Sequence, residues 1–194
     1  MELSDRDLFL LPRRPSDPMI LDWRGDEDAE NYGRSLADGA WNEMWDRRRR
    51  QAFWIMLADR VIGEVELFDM RRGERTAELR IGIAQRGDLG QGYGRRALRL
   101  VLRYAREHLR LKEAYLRVEE RNARAVACYR AVGFRAVGRL AGRRFPHPVL
   151  LMTCDLGDER LLERLARGGE VESARRPLAG GDLLVQQPEV LAVE

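Results

Sequence analysis

The segment Gln85-Arg86-Gly87-Asp88-Leu89-Gly90-Gln91-Gly92-Tyr93-Gly94-Arg95-Arg96 carries more readable chemistry than any other part of the chain. Glycine at alternate positions from Gly90 to Gly94 lets main-chain N–H groups turn into one concavity and lets the backbone approach a ligand closely. A helical apolar pattern follows, so the free N–H groups and positive dipole end of a helix start point the same way. Such a turn binds anions. Arg95 and Arg96 agree with this, because a cation in the first helical turn opposes the dipole by about 0.3 to 1 kcal/mol, a sign that a bound phosphate reverses. The segment has no Gly-Lys-Ser/Thr ending, and its glycines miss the Gly-x-Gly-x-x-Gly spacing, so neither a P-loop nor a dinucleotide fingerprint is present.

A second segment runs from Leu116 to Phe134: an alternating strand, Asn122 at a helix start, Tyr129 seven residues on, and Gly133-Phe134 as the stop. Carboxylates at Glu64, Glu66 and Glu78 fall on predicted strands, where such residues usually face water. Cys128 and Cys154 lie far apart in apolar surroundings and predict buried thiols, with neither a disulfide framework nor a metal site. His108 and His147 are too isolated for a zinc site.

The elements that must position these residues follow from periodicity. Leu8-Phe9-Leu10-Leu11 predicts a first strand, stopped by prolines. Residues 19–49 predict one or two short helices, with Trp41 and Trp45 four apart on one face, and the run Arg47-Arg48-Arg49-Arg50 reads as a solvated end. From Ala52 a dense apolar run, a turn at Asp59-Arg60 and the alternation from Val61 to Phe68 predict a hairpin; Ala77 to Ile83 repeats the two-residue period, for three antiparallel strands in series. Ala97, Leu98, Val101, Leu102, Ala105 and Leu109 form a helical stripe. Ala114 to Val118 predicts a strand, 123–132 a short helix, and 134–140 with 149–154 a last strand pair. The fold class is α/β: a mixed, mostly antiparallel central sheet of about seven strands flanked by helices. Residues 1–156 make one domain. Residues 157–194, interrupted by Gly168-Gly169, Pro177 and Gly180-Gly181, read as an appendage that packs on a neighbouring copy in a homodimer.

Composition narrows the classes further. The 194 residues are 44% hydrophobic and 35% charged, which predicts a single folded domain. Thirty-five bases against 32 acids leave a net charge of +3, with the two signs interleaved, so the broad positive field of a nucleic-acid binder is not expected. An acidic N-terminus and the lack of any long apolar stretch predict a cytoplasmic protein with no membrane partner.

In this order and at this separation, the glycine turn and the Asn122 to Phe134 segment resemble the GCN5-related N-acetyltransferases, the GNAT family, over about residues 6 to 155. The resemblance implies a sheet that splays open to admit acetyl-CoA as cosubstrate, with no metal. Ile81, Gly82 and Ile83 would present backbone groups to the pantetheine and the acetyl carbonyl; Leu89, Gly90, Gln91, Gly92, Tyr93, Gly94 and Arg95 would hold the pyrophosphate. Asn122 would hydrogen-bond the pantetheine arm, and Tyr129 would face the sulfur as acid for the departing thiolate. Many relatives carry Arg or Gln where Leu89 stands, so that first contact here is backbone only. Some relatives place a basic Glu five residues before the Asn; here that place is Arg117, which leaves Glu78 as the preferred base with Glu64 and Glu66 as comparable candidates. The implied acceptor is a protein N-terminal amine or a small amine-bearing metabolite. Polyamines and aminoglycosides are the alternatives, as is a module that binds CoA without turnover.

Overall fold

The computed structural model describes residues 3–13, 50–142, 145–158 and 190–192. They form one nine-stranded sheet in the order β1-β2-β3-β4-β5-β6-β8-β7-β9. The strands are β1 (Ser4–Asp5), β2 (Leu8–Pro12), β3 (Gln51–Leu57), β4 (Arg60–Arg71), β5 (Thr76–Ile83), β6 (Glu113–Glu119), β7 (Arg135–Gly142), β8 (Phe145–Asp155) and β9 (Val190–Ala192). Helix α1 (Tyr93–Glu107) follows β5, and α2 (Ala123–Ala131) follows β6. All neighbours pair antiparallel except β5 with β6 and β7 with β9. The two strands beyond the expected seven are the shortest: β1 has two residues, and β9, from the C-terminal segment, adds three to the edge of this chain's own sheet. The helices expected over 19–49, and the rest of the tail apart from residues 157 and 158, lie outside the described residues.

The core follows from alternation. Leu8 and Leu10 of β2, Phe53 and Ile55 of β3, Val65 and Leu67 of β4 and Ala77 and Leu79 of β5 are buried with Ala97, Leu98, Val101, Leu102 and Ala105 of α1. Each large aliphatic side chain there contributes about 1.5 to 3 kcal/mol of burial, and the i, i+3, i+4 stripe of α1 supplies the facing surface. Tyr104 meets Phe53 edge to face at 5.1 Å.

Two irregularities shape the sheet near its middle. Ile55 pairs with Gly63 while Met56 pairs with Val61, so Ile62 is an extra residue, a bulge of the kind that re-aims neighbouring side chains. It sends Ile62 into the core together with Val65 and Leu67, and leaves Glu64 and Glu66 on the opposite face. Beside the bulge the backbones of β4 and β5 come unusually close, and a Cβ at Gly63 would collide with the Gly82 carbonyl oxygen.

The second irregularity is the β5–β6 pair. It holds only from Thr76–Glu113 to Glu78–Tyr115. Beyond that, β5 stays with β4 as far as Ile83–Gly63, and β6 stays with β8 as far as Glu119–Val149. The sheet therefore opens into a wedge between residues 79–83 and 116–119, with the starts of α1 and α2 at its mouth.

Candidate active site

The wedge leads to a cavity of about 330 Å3, lined by Ile81, Gly82 and Ile83, by the connector from Asp88 to Arg95 except the exposed Gln91, and by Arg124, Ala125, Ala127, Cys128 and Tyr129. Past Leu79, β5 has no strand on its β6 side, so the main-chain groups of that edge face the opening. This is what a polar, extended ligand needs from a strand that no neighbour saturates.

The connector begins with a single 3-10 turn, Arg86–Asp88. Gly90 and Gly92 then take φ of 78° and 85°, and Gly92 is the N-cap of α1, offering no side-chain cap to the helix. Left-handed backbone there lets the peptide N–H groups curve toward the cavity, and a β-branched residue would resist it. The first-turn donors of α1 are thus left for a ligand rather than for a capping oxygen.

The two arginines at the helix start part company. Arg95 is exposed, lines the cavity and has no carboxylate partner among the described residues. Arg96 turns away: its guanidinium donates to Asp5 Oδ2 at 2.9 Å, Asp7 Oδ1 at 2.7 Å and the Asp5 carbonyl, tying α1 to the β1–β2 turn. The hydrogen bond from Arg96 holds the Asp7 carboxyl below its ordinary range. Arg96 is therefore a structural clamp rather than a phosphate ligand.

Among the lining residues not assigned to the site from the sequence are two charged ones and Cys128, which was expected to be a buried thiol and is only partly buried. Arg124, in the first turn of α2, supplies a second cation to the cavity. Asp88 is buried there and accepts both arms of Arg60, at 2.7 and 2.8 Å. That pairing keeps its carboxyl below the ordinary range, so it stays ionised, and Arg60 balances its charge. Cys128 is half-buried and reaches the cavity, where burial pushes its thiol up and Arg95 opposes the shift. Cys154 is the buried core thiol that its surroundings predicted. Among the described residues no group of side chains could hold a metal ion.

Asn122 occupies its predicted helix start. Its side-chain oxygen accepts from the Ala125 N–H at 3.0 Å, an N-cap interaction, and it does not line the cavity. Tyr129 lies two turns into α2, 8% exposed, with its ring edge-on to Phe134 at 5.8 Å, and lines the cavity.

The three acids part in the same way. Glu78 sits at the shut end of the wedge and accepts both arms of Arg117 at 2.9 Å; it does not line the cavity. Burial pushes its carboxyl up, and Arg117 pulls it back. Glu66, 2% exposed, is sealed between Arg50 and Arg80. Glu64 stands directly across from Gly82 of the cavity wall, with Arg13 at 3.3 Å, and like the other two it does not itself line the cavity.

The family model for the GNAT acetyltransferase domain matches residues 7–135 of this chain. The chain belongs to the GNAT acetyltransferase family. It is an acetyl-CoA-dependent N-acetyltransferase, which moves an acetyl group to an amine. Its fold is that of solved members. A chimera of the Vibrio cholerae spermidine N-acetyltransferase SpeG with hSSAT superposes with a TM-score of 0.65 at 25% identity, covering 81% of this chain and 99% of that one. A variant of Vibrio cholerae SpeG gives 0.55 at 27% identity, covering 67% and 78%. Vibrio cholerae spermidine N-acetyltransferase in complex with CoA and spermine shares the fold, with a TM-score of 0.60 at 23% identity over 78% of this chain and 97% of that one. No curated protein matches the sequence. No helix among the described residues is long and apolar enough to cross a membrane.

Proposed function

We propose that the wedge is the acetyl-CoA site, that Glu64 is the base, direct or through water, and that Tyr129 is the acid. The observation that carries this reading is the convergence of one strand edge, one left-handed glycine turn and one tyrosine on a single cavity. The pyrophosphate lies on the N–H groups of 90–95 with Arg95 and Arg124 beside it. The pantetheine follows the open edge of Ile81–Ile83 toward Tyr129.

A primary amine is mostly protonated at neutral pH, so a proton must leave before nitrogen can attack. Glu64 is suited to take it, since it lies across the β4–β5 pair from the wall that holds the acetyl group. The freed lone pair forms a bond to the acetyl carbon, main-chain N–H groups of the β5 edge stabilise charge on the carbonyl oxygen, the carbon–sulfur bond breaks, and Tyr129 gives its proton to the thiolate. Glu78 is less suited, because both its oxygens are committed to Arg117 away from the cavity; it and Arg117 close the narrow end of the wedge.

Titration calorimetry with acetyl-CoA, together with thiol release across a panel of primary amines, tests the reading. Saturable binding and amine-dependent thiol release are expected. Binding without release for every amine would reduce the protein to a CoA-binding module, and absence of binding would remove the site.

A further inference from the structure

The face of the sheet that carries Glu64 holds an unbalanced group of charges. Glu64 and Glu66 stand two apart on β4, across from Gly82 and Arg80 of β5. Around them are three guanidiniums: Arg13 on Glu64, and Arg50 and Arg80 on Glu66. Among the described residues, three cations against two carboxylates leave one positive charge over. The arginines are braced by aromatic faces, Arg13 at 4.9 Å from the Trp54 ring centroid and Arg80 at 5.4 Å from that of Phe68. Arg13 is nine-tenths buried, and its Nε makes no hydrogen bond. Arg50 and Arg80 keep about a quarter of their side chains exposed, so a small ligand reaches them. Burial lowers Arg80 to about 10, Arg50 and Arg13 add repulsion, and Glu64 opposes it. At neutral pH the group stays cationic, and among the described residues no third carboxylate meets it.

We infer that the acceptor is an amine carrying its own carboxylate, with the amine at Glu64 and the carboxylate on the Arg80–Arg50 pair. This rests on the reading of Glu64 as the base. Two residues along a strand span about 6.6 Å, so the carboxylate sits a few bonds from the reacting nitrogen, as in an amino acid or a peptide with an acidic first residue. Guanidinium suits such a ligand, because its planar fork binds a carboxylate through two parallel hydrogen bonds. Counted over the described residues, this face would present a polycation with an excess of like charge, which disfavours a polyamine.

Thiol release under saturating acetyl-CoA tests the inference with matched acceptors: γ-aminobutyrate against γ-aminobutyramide, free glutamate against glutamine, and a tripeptide amide beginning with Glu against one beginning with Gln. Spermidine serves as the contrary acceptor. The carboxylated member is expected to exceed its amide at least tenfold in kcat/KM, in the free or the peptide pair according to which source the site admits. The preference is expected to fall toward unity in Arg80→Met and Arg50→Met, and to survive in part in Arg80→Lys. Circular dichroism and acetyl-CoA titration establish that each variant is folded and loaded. Equal rates within every pair, a preference for spermidine, or a preference unchanged in both methionine variants would overturn the inference while leaving the acetyltransferase reading intact. No release with any amine would instead count against Glu64 as base, and against the inference with it.

Discussion

The two halves of the site are built from different materials. The half proposed for the cofactor is nearly all main chain and contiguous: a strand edge at Ile81–Ile83, then a turn at Gly90–Gly92, then a helix start, all within fifteen residues. The half proposed for the acceptor is made of side chains brought together from the end of β2, the start of β3, and β4 and β5, with Arg13 and Glu64 51 positions apart and Arg50 and Glu66 16 apart. A backbone site tolerates many side chains and answers to conformation. A side-chain site answers to charge, and each member is held by its neighbours.

The sharpest way to break that contrast is to remove one acid from the side-chain half. Glu64→Gln is expected to lower kcat by about 10² to 10⁴ at neutral pH with acetyl-CoA affinity little changed, whereas Glu78→Gln loses far less activity. Steady-state kinetics with calorimetry checks both, and equal losses would reinstate Glu78. Tyr129→Phe should reduce kcat by about 10²-fold or more while KM for acetyl-CoA holds, since the hydroxyl acts on a charge present only as the transition state collapses. Wild-type turnover in that folded variant would return Tyr129 to packing against Phe134.

Conformation is the lever for the backbone half. Gly92→Val forces a β-branched residue to a φ of 85°, at a cost of order 1 to 3 kcal/mol. It is expected to weaken acetyl-CoA at least tenfold by calorimetry with the far-ultraviolet spectrum preserved. Asn122→Ala removes the cap on α2 and should cost about 1 kcal/mol, a lower Tm in a thermal melt. The smallest effect is Asp88→Asn. The folded carboxyl is held below its ordinary 3.8, so its contribution is present above 3.8 and fades as pH falls through the lower folded value. Urea midpoints of wild type and variant should differ near neutrality and converge in acid. Since Arg60 is nearly half exposed, added salt should narrow the gap.

The same contrast explains what could be read from the sequence. The glycine turn, Tyr129 and the strands around them announce themselves through local spacing, and β3 through β8 fall within a few residues of their expected bounds. Parity along β5 was also legible, with Ala77, Leu79, Ile81 and Ile83 on one side. Arg96 was misjudged because adjacency to Arg95 says nothing about the aspartates of a turn ninety residues upstream. Arg50 belonged to a run that looked solvated, yet it ends on Glu66, a pairing that only the β3–β4 register creates. Asp88 and Arg60 are 28 apart and meet only through the fold. The bulge at Ile62 leaves no mark in the composition, and without it the choice between Glu64 and its neighbours could not be made.

Gly63 does not line the cavity, yet its missing side chain sets how near β4 may come to β5 behind Gly82. Any other residue there would push the inner wall of the wedge into the cavity. Under sequence drift this position should therefore stay frozen while exposed residues around the mouth vary freely. A survey of all nineteen replacements by growth selection on activity would score Gly63 with the reacting groups, although it takes no part in the reaction.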